Sequence, residues 1–492
     1  MKRLSVCLVL VVTTVLVGAE SADVEYLAIF LQGKKVGHAI QTRVVGGDTV
    51  TTTEQAAITI SRAGVPVTVD TTEVCIETTD GKPISFSSVQ DLGMMQMRIR
   101  GELTGQQKLR VTVSSAGTQQ VQTIDWPEGA VMAEGLRLLA LKKGLKQGTR
   151  YSARIFSPSM AQAMDANIVV GPRENVDLLG RVVPLTRVTT NLVVPGAGKI
   201  VTTSYVDDEL RALKVITPIA GMDVEMVACT KDFALSDNDV IDVIEKMFVA
   251  SPSPLGDAGS ARSITYYLRA VKRGQSFEIP STDNQSVKRL APEQVVVTVR
   301  PVPAPAEATL PYKGDDPQIL EALKPTRYLQ CDDEKVVELA KKAVGSTNNA
   351  ATAAKRIEAF VARYVKNQSL SVGYGSAAEV AESRTGDCTE FAVLTAAMCR
   401  AAGIPARVVA GLAYIDQFAG LKNQFGGHAW VEAYIADRWV GLDAAFKSAG
   451  LGGYDAGHIA LAVGNGNPED FFSLVASLGL FRIEKVVVEP AM

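Results

Sequence analysis

The sequence has little of the material that several classes of protein require. Among its 492 residues there are three histidines, three tryptophans and six cysteines, and aromatic residues make up 6% of the chain. Beyond the amino-terminal segment no apolar run reaches the ~20 residues of a membrane-spanning helix; the apolar stretch 471–481 is short and is followed by Arg482. We find no repeat of fixed period, which argues against a solenoid or propeller.

The chain also has little excess of charge of either sign. The chain has 50 basic and 53 acidic residues and a formal net charge of −3, which becomes −5 if Lys2 and Arg3 are removed. Without a basic cluster, a nucleic-acid partner is not expected. No acidic loop resembles a calcium site, so we expect neither a metal nor another cofactor.

Cysteine usage is sparse and irregular. Five cysteines follow the amino-terminal segment: Cys75, Cys229, Cys331, Cys388 and Cys399. An odd number leaves at least one free thiol in an oxidising compartment, and their spacing fits no zinc site. Cys75 and Cys229 have strand-like apolar neighbours and are predicted to be buried hydrophobes, with a disulfide between them as the alternative.

The first 19 residues have the pattern of a secretory signal. Lys2 and Arg3 precede an apolar run from Leu4 to Val17, and small residues lead to a cleavage point after Ala19. The alternative is an uncleaved anchor, but 14 apolar residues fall short of a membrane span. We therefore expect export to the periplasm or the cell exterior, with no stable membrane span after cleavage.

The length allows two or three domains. Residues 20–235 alternate in short β-branched runs, which predicts an antiparallel β meander, with one helix within 128–145. Residues 236–310 are predicted to be a connecting β segment that ends in a proline-rich linker at 301–306. Helical patterns dominate residues 311–492, so the expected fold class is α+β.

Cys388 stands in an unusual place, within the stretch RTGDCTEF at 384–391. The following residues keep helical spacing until Gly403, so Cys388 is predicted to lie in the first turn of a buried helix. The N–H groups of that turn favour a negative charge, and thiolate is the nucleophilic form of cysteine. The alternative is that Cys388 is a small apolar plug, as we expect for Cys399 on the same helix.

A hairpin further along supplies candidate partners for the thiol. The segment GGHAWVEAYI alternates as a strand and is followed, after Ala436-Asp437, by RWVGLD. A turn centred between Ala436 and Asp437 pairs Trp430 with Asp443 and places His428 diagonal to Asp443, ~5–8 Å apart at Cβ. A slip of one residue would put the two side chains on opposite faces.

Each of these residues also has a structural interpretation. His428 could be a hydrogen-bonded core imidazole, as we expect for His38 and His458, and Asp443 could cap the end of a strand. An imidazole beside a carboxylate, together with the helix-start Cys388, favours nucleophilic catalysis instead.

The GDC that opens a helix, the HAW that opens a strand and the LD that follows resemble the bacterial transglutaminase-like superfamily over residues 330–465. The resemblance implies a carboxy-terminal papain-like α+β core. It also implies that Cys388 is the nucleophile, His428 the acid and base, and Asp443 the residue that orients the imidazole. Tyr364, Gln368 and Tyr374 are the candidates for a side-chain donor to the oxyanion.

The resemblance implies an exported enzyme that forms a thioester with the acyl group of a protein or peptide amide. Water or an amine would then accept the acyl group; hydrolysis is the first expectation and protein-glutamine transamidation the alternative. A third hypothesis is an envelope binding or scaffold protein with a silent triad. The sequence predicts neither the natural substrate nor the oligomeric state.

Overall fold

A computed structural model describes residues 22–491 except 63–64, 92–95, 106, 116–117, 195–197, 220–221, 240, 242–247, 257, 274–276, 307, 369–374, 419 and 467–478. The predicted signal segment, most of the apolar stretch 471–481 and Tyr374 lie outside the described residues. Within the described ranges no helix is both long enough and apolar enough to cross a membrane.

The chain is strand-rich, with 54% strand and 18% helix, and has the expected α+β class. The amino-terminal half forms one sheet of fifteen strands. They are β1 (Asp23–Leu31), β2 (Lys34–Gly46), β3 (Thr49–Arg62), β4 (Val65–Thr78), β5 (Pro83–Asp91), β6 (Gln96–Thr104), β7 (Lys108–Ser115), β8 (Thr118–Asp125), β9 (Ala130–Val131), β10 (Arg150–Ser157), β11 (Gln162–Leu178), β12 (Arg181–Val194), β13 (Gly198–Val206), β14 (Ala212–Ile219) and β15 (Met222–Cys229).

Two meanders make up this sheet, and all their pairings are antiparallel except that of β9 with β10, which is parallel. Strands β1 to β8 follow one another in order along one half, and β15 back to β9 form the other half. The halves are joined where β1 pairs with β15, for example Tyr26 opposite Cys229. The meander predicted from alternating residues is therefore confirmed, because consecutive strands need only short turns to pair.

Eight α-helices lie in the described residues, six of them in the carboxy-terminal half. They are α1 (Ala133–Lys143), α2 (Lys231–Ala234), α3 (Pro317–Glu321), α4 (Glu334–Val344), α5 (Ala350–Tyr364), α6 (Ala377–Ser383), α7 (Cys388–Ala401) and α8 (Ala444–Ser448), and Ala258–Ser260 form a 3-10 turn. Helix α1 is the one predicted within 128–145. Its N-terminal N–H groups at Glu134 and Gly135 donate to the Glu77 carboxylate at 2.6 and 2.9 Å.

The remaining strands form two larger sheets and one short parallel pair. They are β16 (Phe248–Ala250), β17 (Ala261–Ala270), β18 (Gln285–Ala291), β19 (Gln294–Val299), β20 (Asn367–Gln368), β21 (Thr385–Gly386), β22 (Ala406–Phe418), β23 (Leu421–Ile435), β24 (Arg438–Leu442), β25 (His458–Gly464) and β26 (Phe481–Pro490). The five-stranded sheet has the order β16-β23-β22-β25, with β24 on β23, and the four-stranded sheet the order β18-β19-β17-β26.

Helices α4 to α7 share one hydrophobic core with the five-stranded sheet. Strand β23 contributes alternate residues to this core, Ala429, Val431, Ala433 and Ile435. Because successive side chains on a strand point to opposite faces, His428 and Trp430 point away from these helices' core. This alternation is what brings His428 to the face where Asp443 lies.

The four-stranded sheet packs against the five-stranded sheet in a second core. Tyr266 of β17 and Phe425 of β23 meet edge to face, with ring centroids 5.4 Å apart. Asn284 links the two sheets by polar contacts, since its amide donates to Glu432 Oε1 at 2.8 Å and to the Trp439 carbonyl at 3.0 Å. The β strands predicted within 236–310 thus support the strand that carries His428.

Candidate active site

Helix α7 begins at Cys388 because the residues before it cap the helix. The Asp387 side chain accepts the Thr389 N–H at 3.1 Å, and the Glu390 carboxylate accepts the Asp387 N–H at 2.8 Å. This reciprocal capping box satisfies N–H groups that the helix cannot satisfy itself. Gly386 is required here, because a Cβ at this position would lie 2.2 Å from the Glu390 Cβ. Cys388 is half-buried in the first turn, as predicted.

Glu390 is a buried carboxyl in the first turn of α7, two residues after Cys388. Its Oε1 accepts the Gly375 N–H at 2.6 Å, in addition to the bond from Asp387. Burial and the neighbouring Asp387 carboxylate raise the pKa of Glu390 well above its ordinary value. Glu390 therefore holds the segment after residue 374 against the start of α7.

The hairpin of β23 and β24 has the register predicted from the sequence. Ile435 pairs with Arg438 and Val431 with Leu442, so the next position pairs Trp430 with Asp443. The turn residues Ala436 and Asp437 have φ values of 45° and 61°, the left-handed region that a type I′ turn uses at both positions.

His428 and Asp443 meet as this register predicts. His428 Nε2 lies 2.7 Å from Asp443 Oδ2, and both side chains are buried. Burial alone lowers the pKa of His428, but the charges of Asp443 and Cys388 and hydrogen bonds to both outweigh it and raise the pKa to about 9. The structure therefore brings Cys388, His428 and Asp443 together, in that order.

Asp443 is held by more than the imidazole. It caps α8, since its Oδ1 accepts the Phe446 N–H at 2.9 Å, and its own N–H donates to Glu358 Oε1 at 2.9 Å. Burial alone would raise the pKa of Asp443, but the adjacent imidazoles, His428 first and then His458, lower it well below its usual value. Asp443 therefore caps α8 through Oδ1 and contacts His428 through Oδ2 at the same time.

His458 is the residue of this site that sequence reasoning missed. Its Nε2 lies 3.0 Å from the same Asp443 oxygen that His428 contacts. His458 begins β25, whose pairing with β22 places it opposite Ala413. Since that pairing joins segments far apart in sequence, no local signal identifies this contact.

Of the three candidates for a side-chain oxyanion donor, Tyr364 is the one whose side chain the structure describes. The Tyr364 hydroxyl is buried and donates to the Ala381 carbonyl at 2.6 Å, so it is engaged elsewhere. The Gln368 side chain and Tyr374 lie outside the described part of the chain.

All five cysteines of the described residues are free thiols, so the alternative of a Cys75–Cys229 disulfide is not formed. Cys399 is fully buried on α7, and burial raises its pKa to about 12, which suits the predicted apolar plug. Cys388 differs from Cys399 because it borders an imidazole instead of apolar side chains only.

Within the described ranges, one group of side chains has the donor atoms and spacing to hold a metal ion. Ligand atoms of His428, Asp443 and His458 lie within 4.8 Å of one another. Both imidazoles lie at hydrogen-bond distance from Asp443 Oδ2, so an ion would have to displace two hydrogen bonds. The arrangement present is a hydrogen-bonded chain.

The family model for the transglutaminase-like superfamily matches residues 337–444. Cys388, His428 and Asp443 all lie within this span. Residues 337–444 belong to the transglutaminase-like superfamily. The domain that they form is the one that packs α7 against β22 and β23.

Similar proteins cover parts of the chain. A protein-glutamine gamma-glutamyltransferase of Pseudomonas aeruginosa is 41% identical over 73 residues, which is 14% of this chain and 11% of that protein. The chain therefore spans about a tenth of that relative's length. A proposed cysteine protease from Cytophaga hutchinsonii is 21% identical and covers 46% of this chain and 88% of its own, with a TM-score of 0.30.

A β-barrel-like protein of unknown function from Brucella abortus is also similar to part of the chain. It is 13% identical and covers 42% of this chain and 95% of its own, with a TM-score of 0.34.

Proposed function

We propose that this protein is an exported cysteine-dependent acyl-transfer enzyme that cleaves peptide or amide bonds through a thioester. The observation that carries the proposal is the 2.7 Å contact of His428 Nε2 with Asp443 Oδ2, made by a histidine whose proton affinity Cys388 also raises. A thiol, an imidazole and an orienting carboxylate in this order are the parts that nucleophilic acyl transfer uses.

In the first half-reaction His428 takes the Cys388 proton, and the thiolate attacks the carbonyl carbon of the substrate. With its pKa raised to about 9, His428 holds this proton at neutral pH until the leaving amine accepts it. The tetrahedral intermediate collapses as the C–N bond breaks and His428 gives its proton to the departing amine. A thioester between Cys388 and the acyl group remains.

The start of α7 favours the oxyanion of the intermediate. A backbone N–H in the first turn has no partner within its own helix, and the helix dipole favours negative charge there. The Cys388 N–H occupies this first helical position, whereas the Thr389 N–H already donates to Asp387. We assign the Cys388 N–H as an oxyanion donor.

Water is the acceptor that we assign to the second half-reaction, because the sequence resembles prokaryotic members of the superfamily, many of which are hydrolases. Attack of water on the thioester releases an acid and restores the thiol. The second candidate is transfer to an amine, which the similarity to a protein-glutamine gamma-glutamyltransferase favours. Both share the acyl-enzyme and differ only in the acceptor.

The purified protein, incubated with glutamine-containing peptides and a dansylated primary amine, separates these candidates by mass spectrometry. We expect peptide or amide hydrolysis without amine incorporation; incorporation in excess of acid release would instead establish transamidation. Cys388→Ala should abolish both reactions. Cys229→Ala, which removes another half-buried thiol from a distant strand, is the matched control and should retain activity.

The same protein tests the silent-triad alternative and the expected export. Cys388 should react with iodoacetamide at pH 6–7 faster than an ordinary thiol; an ordinary rate would favour a scaffold without catalysis. Amino-terminal sequencing of the protein recovered outside the cytoplasm should begin at Glu20. Recovery of the intact amino terminus would contradict the cleaved signal.

A further inference from the structure

A second histidine shares the carboxylate that orients His428. His458 is fully buried, and its Nε2 lies 3.0 Å from Asp443 Oδ2. Its Nδ1 lies 2.9 Å from Asp455 Oδ1 and 3.2 Å from the Asp455 carbonyl oxygen, and the Asp455 N–H donates toward the same nitrogen at the longer distance of 3.3 Å. The imidazole is therefore placed between two carboxylates.

A carboxylate oxygen at each ring nitrogen favours the charged form of His458. A neutral imidazole has one N–H and one acceptor nitrogen, so it would direct a lone pair at one of the two carboxylates. Only the imidazolium donates from both nitrogens, to Asp443 on one side and Asp455 on the other. The carboxylates on both sides raise the pKa of His458 to about 9 against the opposing effect of burial.

The other groups that face His458 carry no positive charge of their own, apart from His428. Aromatic rings of Trp430, Phe446 and Tyr454 surround it, with centroids 5.2, 4.8 and 4.9 Å away. Burial raises the pKa of the Tyr454 hydroxyl well above its ordinary value, so it is neutral. Besides the two carboxylates, the neighbour whose charge changes near neutral pH is His428, and its ring centroid is 5.7 Å from that of His458.

The four-stranded sheet holds the segment that carries His458. The Tyr266 hydroxyl donates to the Ala456 carbonyl at 2.7 Å. The Gln285 side chain makes two hydrogen bonds to Ala460. Its Nε2 donates to the Ala460 carbonyl at 3.0 Å, and its Oε1 accepts the Ala460 N–H at 2.8 Å. Because these contacts flank His458 on both sides, its position does not depend on Asp443 alone.

We propose that His458 is a positioning residue of the active site, a buried cation that fixes the Asp443 carboxylate and opposes the proton on His428. The inference rests on the proposed role of Cys388 and His428. Asp443 Oδ2 accepts from both imidazoles, and Oδ1 from the Phe446 N–H, so three donors define the orientation of the carboxylate. The nearby positive charge makes His428 release its proton to the leaving amine more readily.

Removing the charge of His458 should raise the pKa of His428. Loss of the His458 charge removes a repulsion on the His428 proton and leaves Asp443 a stronger acceptor for it. Both changes raise the pKa of His428.

The first test measures the rate of Cys388 alkylation by iodoacetamide between pH 5.5 and 10.5, a reaction that needs no substrate. Its upper inflection, near pH 9, reports loss of the His428 proton. In His458→Gln the upper inflection should move upward by about 1 pH unit or more, as expected for removal of a unit charge at this distance.

His38→Gln is the matched control, since His38 is half-buried on β2 of the distant amino-terminal sheet and should leave the upper inflection unchanged. A purely structural role for His458 would lower thermal stability and leave the upper inflection of the folded protein in place, which would overturn the proposal. If the wild-type thiol shows no enhanced reactivity at all, the proposed function fails instead.

The second test observes the charge of His458 directly in the wild-type protein. With three histidines in the chain, nitrogen NMR of the 15N-histidine-labelled protein can be assigned with His38→Gln and His428→Gln. We expect both His458 nitrogens to be protonated at pH 7.5. A neutral His458 at this pH would overturn the proposal, even with wild-type alkylation intact.

Discussion

Raising the pH from 7 to 9 is expected to destabilise the transglutaminase-like domain through His428 and His458. The pKa of each is raised from 6.5 to about 9 in the folded protein. A base whose folded pKa is raised stabilises the fold fully below its unfolded pKa, near 6.5, and loses that contribution as the pH rises through about 9.

The magnitude follows from the size of the shift. A difference of about 2.5 pKa units corresponds to about 3 kcal/mol at acidic pH, of which about 2 kcal/mol is lost between pH 7 and pH 9 for one histidine. The two histidines share Asp443, so their contributions are not independent. We expect a total loss of about 2 to 4 kcal/mol over this range.

Urea unfolding at a series of pH values measures this loss. Trp430 and Trp439 lie in the domain, and Trp126 lies in the amino-terminal sheet, so a Trp126→Phe background restricts fluorescence to the domain. The free energy of unfolding of this background minus that of its His458→Gln variant should fall by about 2 kcal/mol from pH 7 to pH 9. Other titrating groups, including Glu390, contribute to both proteins and cancel.

His38→Gln is the control for this unfolding measurement. Burial, and then the charge of Lys35, lower the pKa of His38 below 6.5, so its contribution changes below pH 7 and His38→Gln should give a flat difference between pH 7 and 9. Parallel curves for the background and its His458→Gln variant would refute the reasoning, because His458 would then have the same proton affinity in both folded and unfolded states.

Three further predictions concern neighbouring contacts. Asp443→Asn should lower kcat at least a hundredfold at neutral pH, because His428 loses its charged partner; a kinetic assay on the acyl donor checks this. Gly386→Ala should displace Glu390 and slow both turnover and Cys388 alkylation, whereas Gly47→Ala, in an open turn, should not. Arg400→Gln should lower the free energy of unfolding by about 2–4 kcal/mol, as measured by urea unfolding. The buried Arg400 guanidinium donates to the carbonyl oxygens of Ala406 and Lys324 and to the side-chain oxygen of Asn465, and the variant loses these bonds.

The amino-acid sequence by itself determined the local parts of the site. The sequence Gly386-Asp387 followed by Glu390 defines the start of α7, because the capping box uses only residues within four positions of one another. The β23–β24 register follows from the alternation around His428 and a two-residue turn, although Ala436 and Asp437 lack the glycine that such turns prefer. These interactions are short in sequence, so pattern and spacing suffice to predict them.

The tertiary structure alone decided which groups surround the triad. His458 reaches Asp443 only because β25 pairs with β22, and the Asp443 N–H meets Glu358 from a helix 85 positions earlier. In the same way β17 pairs with β26, so the segment within 236–310 and the end of the described chain form one sheet beside the site. Such contacts depend on how whole sheets and helices pack, and the free energy of that packing is spread over many residues, so no local pattern encodes them.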